Sequence, residues 1–322
     1  MIDRNSRNFS FTTQLGILLG LIGAGMVISI VVSFLIWLAM TGRGISTMAT
    51  DIMDPRYYSA IMWMQVVSTF FLFFLPVYFF ALICYRNPTK FIGFNTRINY
   101  RQVLILLAIV ALTFPLSGAL AELTKMIPIP HSWQIYFKAK EAARTAQEKA
   151  LININTFPRY LVSMIVIALL PAVFEEVCFR GGFQNILTRW FKGPWIAIII
   201  TSIIFSAVHI SYYGFLVRAV LGVFLGLIFY YSGSLWLSIL FHFLYNGLQV
   251  TALYFAATSV GDASKNAQDI EGSFPLWAGV AALVLLMYAF KKFRDISLIE
   301  QQKYVMPEDD PNDFQNWITK EP

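Results

Sequence analysis

The stretch YLVSMIVIALLPAVFEEVCFRGG occupies residues 160–182. It opens as an apolar run and then meets Glu175, Glu176 and Arg180. If the charges end the run, it is too short to cross a bilayer, which takes about 20 mostly apolar residues. If a helix continues through them, it is a membrane span that buries ionisable groups, an expensive arrangement whose default meaning is functional. The rest of the chain decides between the two.

Of 322 residues, 57% are hydrophobic and 13% charged, and the mean hydropathy is +0.63. An ordinary soluble domain is about 25% charged, so half that share points to lipid as solvent. Residues 8–42, 57–85, 102–121, 160–174, 193–217, 219–261 and 272–290 contain no Asp, Glu, Lys or Arg. All but 160–174 are long enough to span alone. The run 219–261 is long enough for two spans, with Ser232, Gly233 and Ser234 as the turn. The exception completes a span only by continuing through FEEVCFR.

An all-α polytopic fold with about eight spans follows, at 14–40, 60–84, 102–122, 157–187, 194–211, 213–231, 234–257 and 275–292. The first run exceeds the core of a signal peptide, about 7–15 residues, and reads as a retained span. The chain divides into an N-terminal membrane region with a connector (1–156), a core of four spans (157–257), a last span (258–293) and a soluble tail (294–322).

The net charge is +6, but Lys and Arg flank spans instead of clustering with aromatics, which argues against nucleic acid and leaves membrane lipid as the expected partner. An even number of spans puts both termini on one side. A slight excess of Lys and Arg on that side assigns it to the cytoplasm, and the absence of an organelle signal points to a bacterial inner membrane. Cys84 and Cys178 read as small buried hydrophobes, not a disulfide framework.

Within the connector, SWQIYFKAKEAARTAQEKAL (132–151) reads as a helix on the membrane surface, with Trp133, Tyr136 and Phe137 at headgroup level. A lid over a site between the spans is the sharper alternative. The tail, with YVMPEDDPNDFQNWITKEP, is acidic and without apolar periodicity, hence solvated. There is no internal repeat and no inverted pair of broken helices, which counts against a transporter.

Filtering for ionisable groups inside the spans leaves Glu175, Glu176, Arg180, His209, Arg218 and His242. Glu176 and Arg180 are four apart with Glu on the N-terminal side, the favoured order for an ion pair. Glu175 is rotated by about 100° from Glu176 and has no equal partner in its own helix. A buried carboxylate left incompletely compensated suits a general base. His242 and Asn246 in FHFLYNG share a helix face, as do Phe205 and His209 in FSAVH. A rise of about 1.5 Å per residue puts Glu175 about 27 Å along its span, His209 about 22 Å, and His242 and Asn246 about 12 and about 18 Å along theirs. All four then fall in the central membrane region. Bland readings stand beside these: bridging hydrogen bonds for single histidines, packing for Asn246, and a snorkelling Arg218. His131, in the connector, reads as ordinary.

Three motifs in register resemble those of the CAAX-protease and bacteriocin-processing (Abi/Rce1-like) intramembrane endopeptidases. FEEVCFRGG is similar to the family's E-E-x-x-x-R motif, FSAVH (205–209) to F-x-x-x-H, and HFLYN (242–246) to H-x-x-x-N. The resemblance covers roughly residues 157–250. It implies a protease acting within the membrane on a membrane-associated protein or peptide. In that frame Glu175 activates a water that His209 orients, His242 and Asn246 stabilise the oxyanion, and Glu176 and Arg180 hold the helix geometry. The metal question stays open at this point. Glu175, His209 and His242 form a zinc ligand set with room for water, while a metal-free Glu/His-activated water serves the same reaction. A non-enzymatic partner-binding or immunity protein, or a proton-coupled transporter, would keep the same polar cluster for other ends.

Overall fold

The computed structural model describes residues 3, 6–52, 54–151, 154, 156–258 and 274–302. Among them the chain is helical throughout. Seven helices are long and apolar enough to cross a membrane: α1 (Phe11–Thr41), α3 (Tyr58–Cys84), α5 (Tyr100–Met126), α7 (Phe157–Phe191), α9 (Phe215–Ser232), α10 (Leu235–Thr258) and α11 (Leu276–Gln302). Short helices α2 (Ile45–Asp51) and α4 (Pro88–Ile92) and the connector helix α6 (His131–Leu151) lie between them.

The span expected over 194–211 is the shorter helix α8 (Pro194–Ala207). Its 14 residues reach about 21 Å, so it spans only part of the slab and stops before His209. At the far end, α11 runs ten residues past the limit of 292 expected from hydropathy. Polar contacts, not lipid, carry that extension: Gln102 Nε2 donates to Ser297 Oγ (2.9 Å), Asn99 Nδ2 to Glu300 Oε2 (2.8 Å) and Gln301 Nε2 to Tyr231 O (2.8 Å). The acidic part of the tail lies outside the described residues.

These contacts gather one end of the bundle, where Arg189 also pairs with Asp3 (2.7 Å). Contacts of Tyr58 with Ser163 and of Ser211 with Glu141 gather the other end. Successive membrane helices alternate between the ends, so the start of α1 and the end of α11 share one side, as an even number of crossings requires. Two large apolar clusters dominate the core of the described residues. One joins α1, α3, α4, α7, α8, α9 and the start of α10 around Phe80, Phe179 and Phe229. The other joins α5, α9, α10 and α11 around Leu106, Ile228, Phe241 and Phe293.

Helix α7 is not a uniform α-helix. It widens to π-type turns over Met164–Leu169 and Val177–Gln184, and α3 does so over Phe70–Phe74. Two of these stretches precede a proline, Pro76 or Pro171. A proline ring clashes with the carbonyl four residues back. Here that carbonyl belongs to Leu72 or Ile167, inside the widened turn, so both helices pass a proline without breaking. Gly181 lets α7 meet α4: a Cβ there would lie 2.8 Å from Ile92 Cγ2.

Candidate active site

The third widened turn begins directly after Glu176, so the two carboxylates sit where α7 changes geometry, a placement common at functional sites. Glu176 is completely buried. Its Oε1 accepts from Arg180 Nη1 at 2.7 Å and from His242 Nδ1 at 2.9 Å. Arg180 is also completely buried; its Nη2 donates to Gly222 O at 3.0 Å, and its guanidinium lies 4.8 Å from the centre of the Phe205 ring. Gly222 is required for that approach, because a Cβ would come within 2.8 Å of Ser202 on α8. The expected Glu176–Arg180 pair is therefore present, and His242 on α10 joins it from across the core.

Glu175 stands apart from this pair. Its side chain keeps 12% exposure, and His242 Nε2 lies 3.9 Å from its Oε2, beyond hydrogen-bond length. His242 thus touches both acids: Nδ1 is bonded to Glu176, which leaves Nε2 aimed at Glu175.

Phe205 is the hub between the histidines. Its ring centre is 5.1 Å from that of His209 and 6.0 Å from that of His242, edge-on to both. His209 lies outside α8, in the turn that follows. There its backbone N–H donates to Ser206 O (3.3 Å) and its Nδ1 pairs with Phe205 O (2.7 Å). The next residue, Ile210, is left-handed, with φ 50°, a conformation that a β-branched residue rarely adopts and that persists only when the surroundings impose it. The surroundings here are specific. Ser211 Oγ accepts from Gly214 N (3.2 Å) and donates to Glu141 Oε2 on α6 (3.1 Å), and Tyr212 stacks on Phe137 of α6 at 5.2 Å. The connector helix therefore braces the turn that carries His209.

Asn246 is half-buried one turn beyond His242 on the same helix. Arg218, expected to snorkel, folds its guanidinium back against Gly214, where a Cβ would lie 2.1 Å from Nη1. The contacts above link Glu175, Glu176, Arg180, Phe205, His209 and His242, Asn246 lies one turn from His242 on α10, and Arg218, Gly222, Ser211 and Glu141 join the surroundings. Among the described residues, no three His, Cys, Asp or Glu side chains are grouped closely enough to hold a metal ion.

Residues 157–248 match the family model described as type II CAAX prenyl endopeptidase Rce1-like. That segment is similar to the core of this family. The matched segment runs from the start of α7 into α10 and contains all three motifs. Neither curated proteins nor solved structures give a match. The similarity to an Rce1-like core and the seven helices long and apolar enough to cross a membrane together support an integral membrane protein.

Proposed function

We propose that the protein is an intramembrane endopeptidase that hydrolyses peptide bonds of a membrane-associated, CAAX-like protein or peptide with a water activated by Glu175 and His209. One observation carries this reading. Glu176 is completely buried and bonded to Arg180 and His242, whereas the adjacent carboxylate, Glu175, retains exposure and stands beyond hydrogen-bond length of His242. An ion pair needed only for packing would not keep a second acid beside it.

In this mechanism Glu175 takes a proton from water as its oxygen attacks the scissile carbonyl, and His209 orients that water. The oxyanion accepts hydrogen bonds from Asn246 Nδ2 and, in the imidazolium form, from His242 Nε2–H. Glu175 then returns the proton to the leaving nitrogen as the C–N bond breaks. Glu176 and Arg180 hold His242 in place. Glu175, His209 and His242 could instead share a zinc ion only after rearrangement, since their donors are not gathered for one in the geometry above.

The membrane is proposed to be a bacterial inner membrane with both termini cytoplasmic, which reporter fusions at the C-terminus test. The substrate test is a proteomic comparison of cells making the wild-type chain with cells making Glu175→Gln. A C-terminally extended form of at least one membrane-associated protein accumulates in the variant. Identical termini in both proteomes would count against proteolysis.

A further inference from the structure

Along α7, Glu176, Arg180, Gln184 and Thr188 recur at intervals of four residues, and the widened turns between them keep such a repeat close to one face. All four are at most 4% exposed. Two reach across to α9: Arg180 Nη2 donates to Gly222 O (3.0 Å) and Gln184 Nε2 to Gly226 O (2.9 Å). Each of the four also carries one buried polar atom that no protein group in the described residues satisfies: Glu176 Oε2, Arg180 Nε, Gln184 Oε1 and Thr188 Oγ1.

A single orphan of this kind is costly, and buried polar groups in folded proteins nearly always find a protein or water partner. Four in one row along one helix share a cause. We propose that this seam between α7 and α9 binds a file of ordered water molecules, leading from the Glu176–Arg180 pair toward the C-terminal end of α7. The chemistry of the row suits water. Glu176 Oε2 and Gln184 Oε1 accept, Arg180 Nε–H donates and the Thr188 hydroxyl does both, so the row offers the acceptors and donors that buried water requires. The outer end lies within one turn of Phe191 and Lys192, both exposed. The inner end is Glu176, whose other oxygen holds His242. The file therefore approaches the buried ion pair from the α7 C-terminal side, and it stands whether or not the site is proteolytic.

The test is Thr188→Val in the full chain, purified in detergent, compared with Thr113→Val. Valine keeps the shape and removes the hydroxyl. Thr113 is equally buried, but its hydroxyl bonds Ile109 O at 2.7 Å in its own helix and needs no water. With a file anchored on Thr188, its variant melts about 2–4 °C below the Thr113 variant, and an experimental map shows waters in hydrogen-bond contact with the four atoms. A Tm equal to or above that of the Thr113 variant overturns the proposal, because removing a dry orphan hydroxyl stabilises. So does a map in which protein groups reach those atoms.

Discussion

Helix α7 carries two buried charge clusters, one at its end and one in its middle, and they are built differently. At the end, Asp3 Oδ2 accepts from Arg189 Nη1 (2.7 Å), Tyr85 Oη (3.0 Å) and Gln14 Nε2 (3.1 Å). Arg189 gives a further bond to Tyr85 Oη (2.7 Å) and lies over the Tyr85 and Phe91 rings. Burial pushes the Tyr85 phenol up, so it stays a donor. Here the acid is bonded by a base and by neutral neighbours. In the middle, two adjacent acids differ: both close donors, Arg180 and His242, go to the same oxygen of Glu176, while Glu175 stands beyond hydrogen-bond length of His242. The first arrangement is what fastening a chain terminus to a helix needs. The second leaves Glu175 partly exposed beside a buried pair, and the proposed chemistry rests on that carboxylate.

Three substitutions and one reagent separate the clusters. Arg180→Met strands Glu176 in the core and costs about 3–5 kcal/mol; size-exclusion chromatography should show little folded monodisperse protein. Arg189→Met removes partners at a site with some solvent and costs about 1–3 kcal/mol. Its Tm falls while cleavage per folded molecule persists, and a parallel loss of cleavage would tie the end cluster to the site. Glu141→Ala removes the acceptor of Ser211 and loosens the His209 turn. Turnover should fall about threefold to tenfold with Tm unchanged, and Glu141→Gln, which still accepts, should restore it. A zinc chelator should leave the cleavage rate unaltered; inhibition reversed by added zinc would move Glu175, His209 and His242 into a metal site.

Much of this was legible in the residues. Uncharged runs locate the long helices because lipid tolerates little else there, and four-residue spacing pairs Glu176 with Arg180. The motifs single out residues that the fold then gathers around Phe205. What escaped the reading depends on tertiary partners. Nothing near residue 207 signals that α8 stops short of His209, since the turn is imposed by Glu141 and Phe137 from a helix some 70 positions away in the chain. Hydropathy could not extend α11 to Gln302, because Gln102 and Asn99 hold that part. The link from His242 to Glu176 joins different helices, beyond the reach of spacing arguments. The widened turns had one local signal, the prolines at 76 and 171.

The central claim is that Glu175 is present for chemistry and Glu176 for structure. Glu175→Gln in the purified, membrane-reconstituted protein tests it most directly, with cleavage and melting measured on the same preparation. The account predicts a loss of turnover of about 10²–10⁴-fold, the range of a general base, with a Tm matching wild type. Wild-type turnover, or a fall in Tm that accounts for the lost activity, would contradict it.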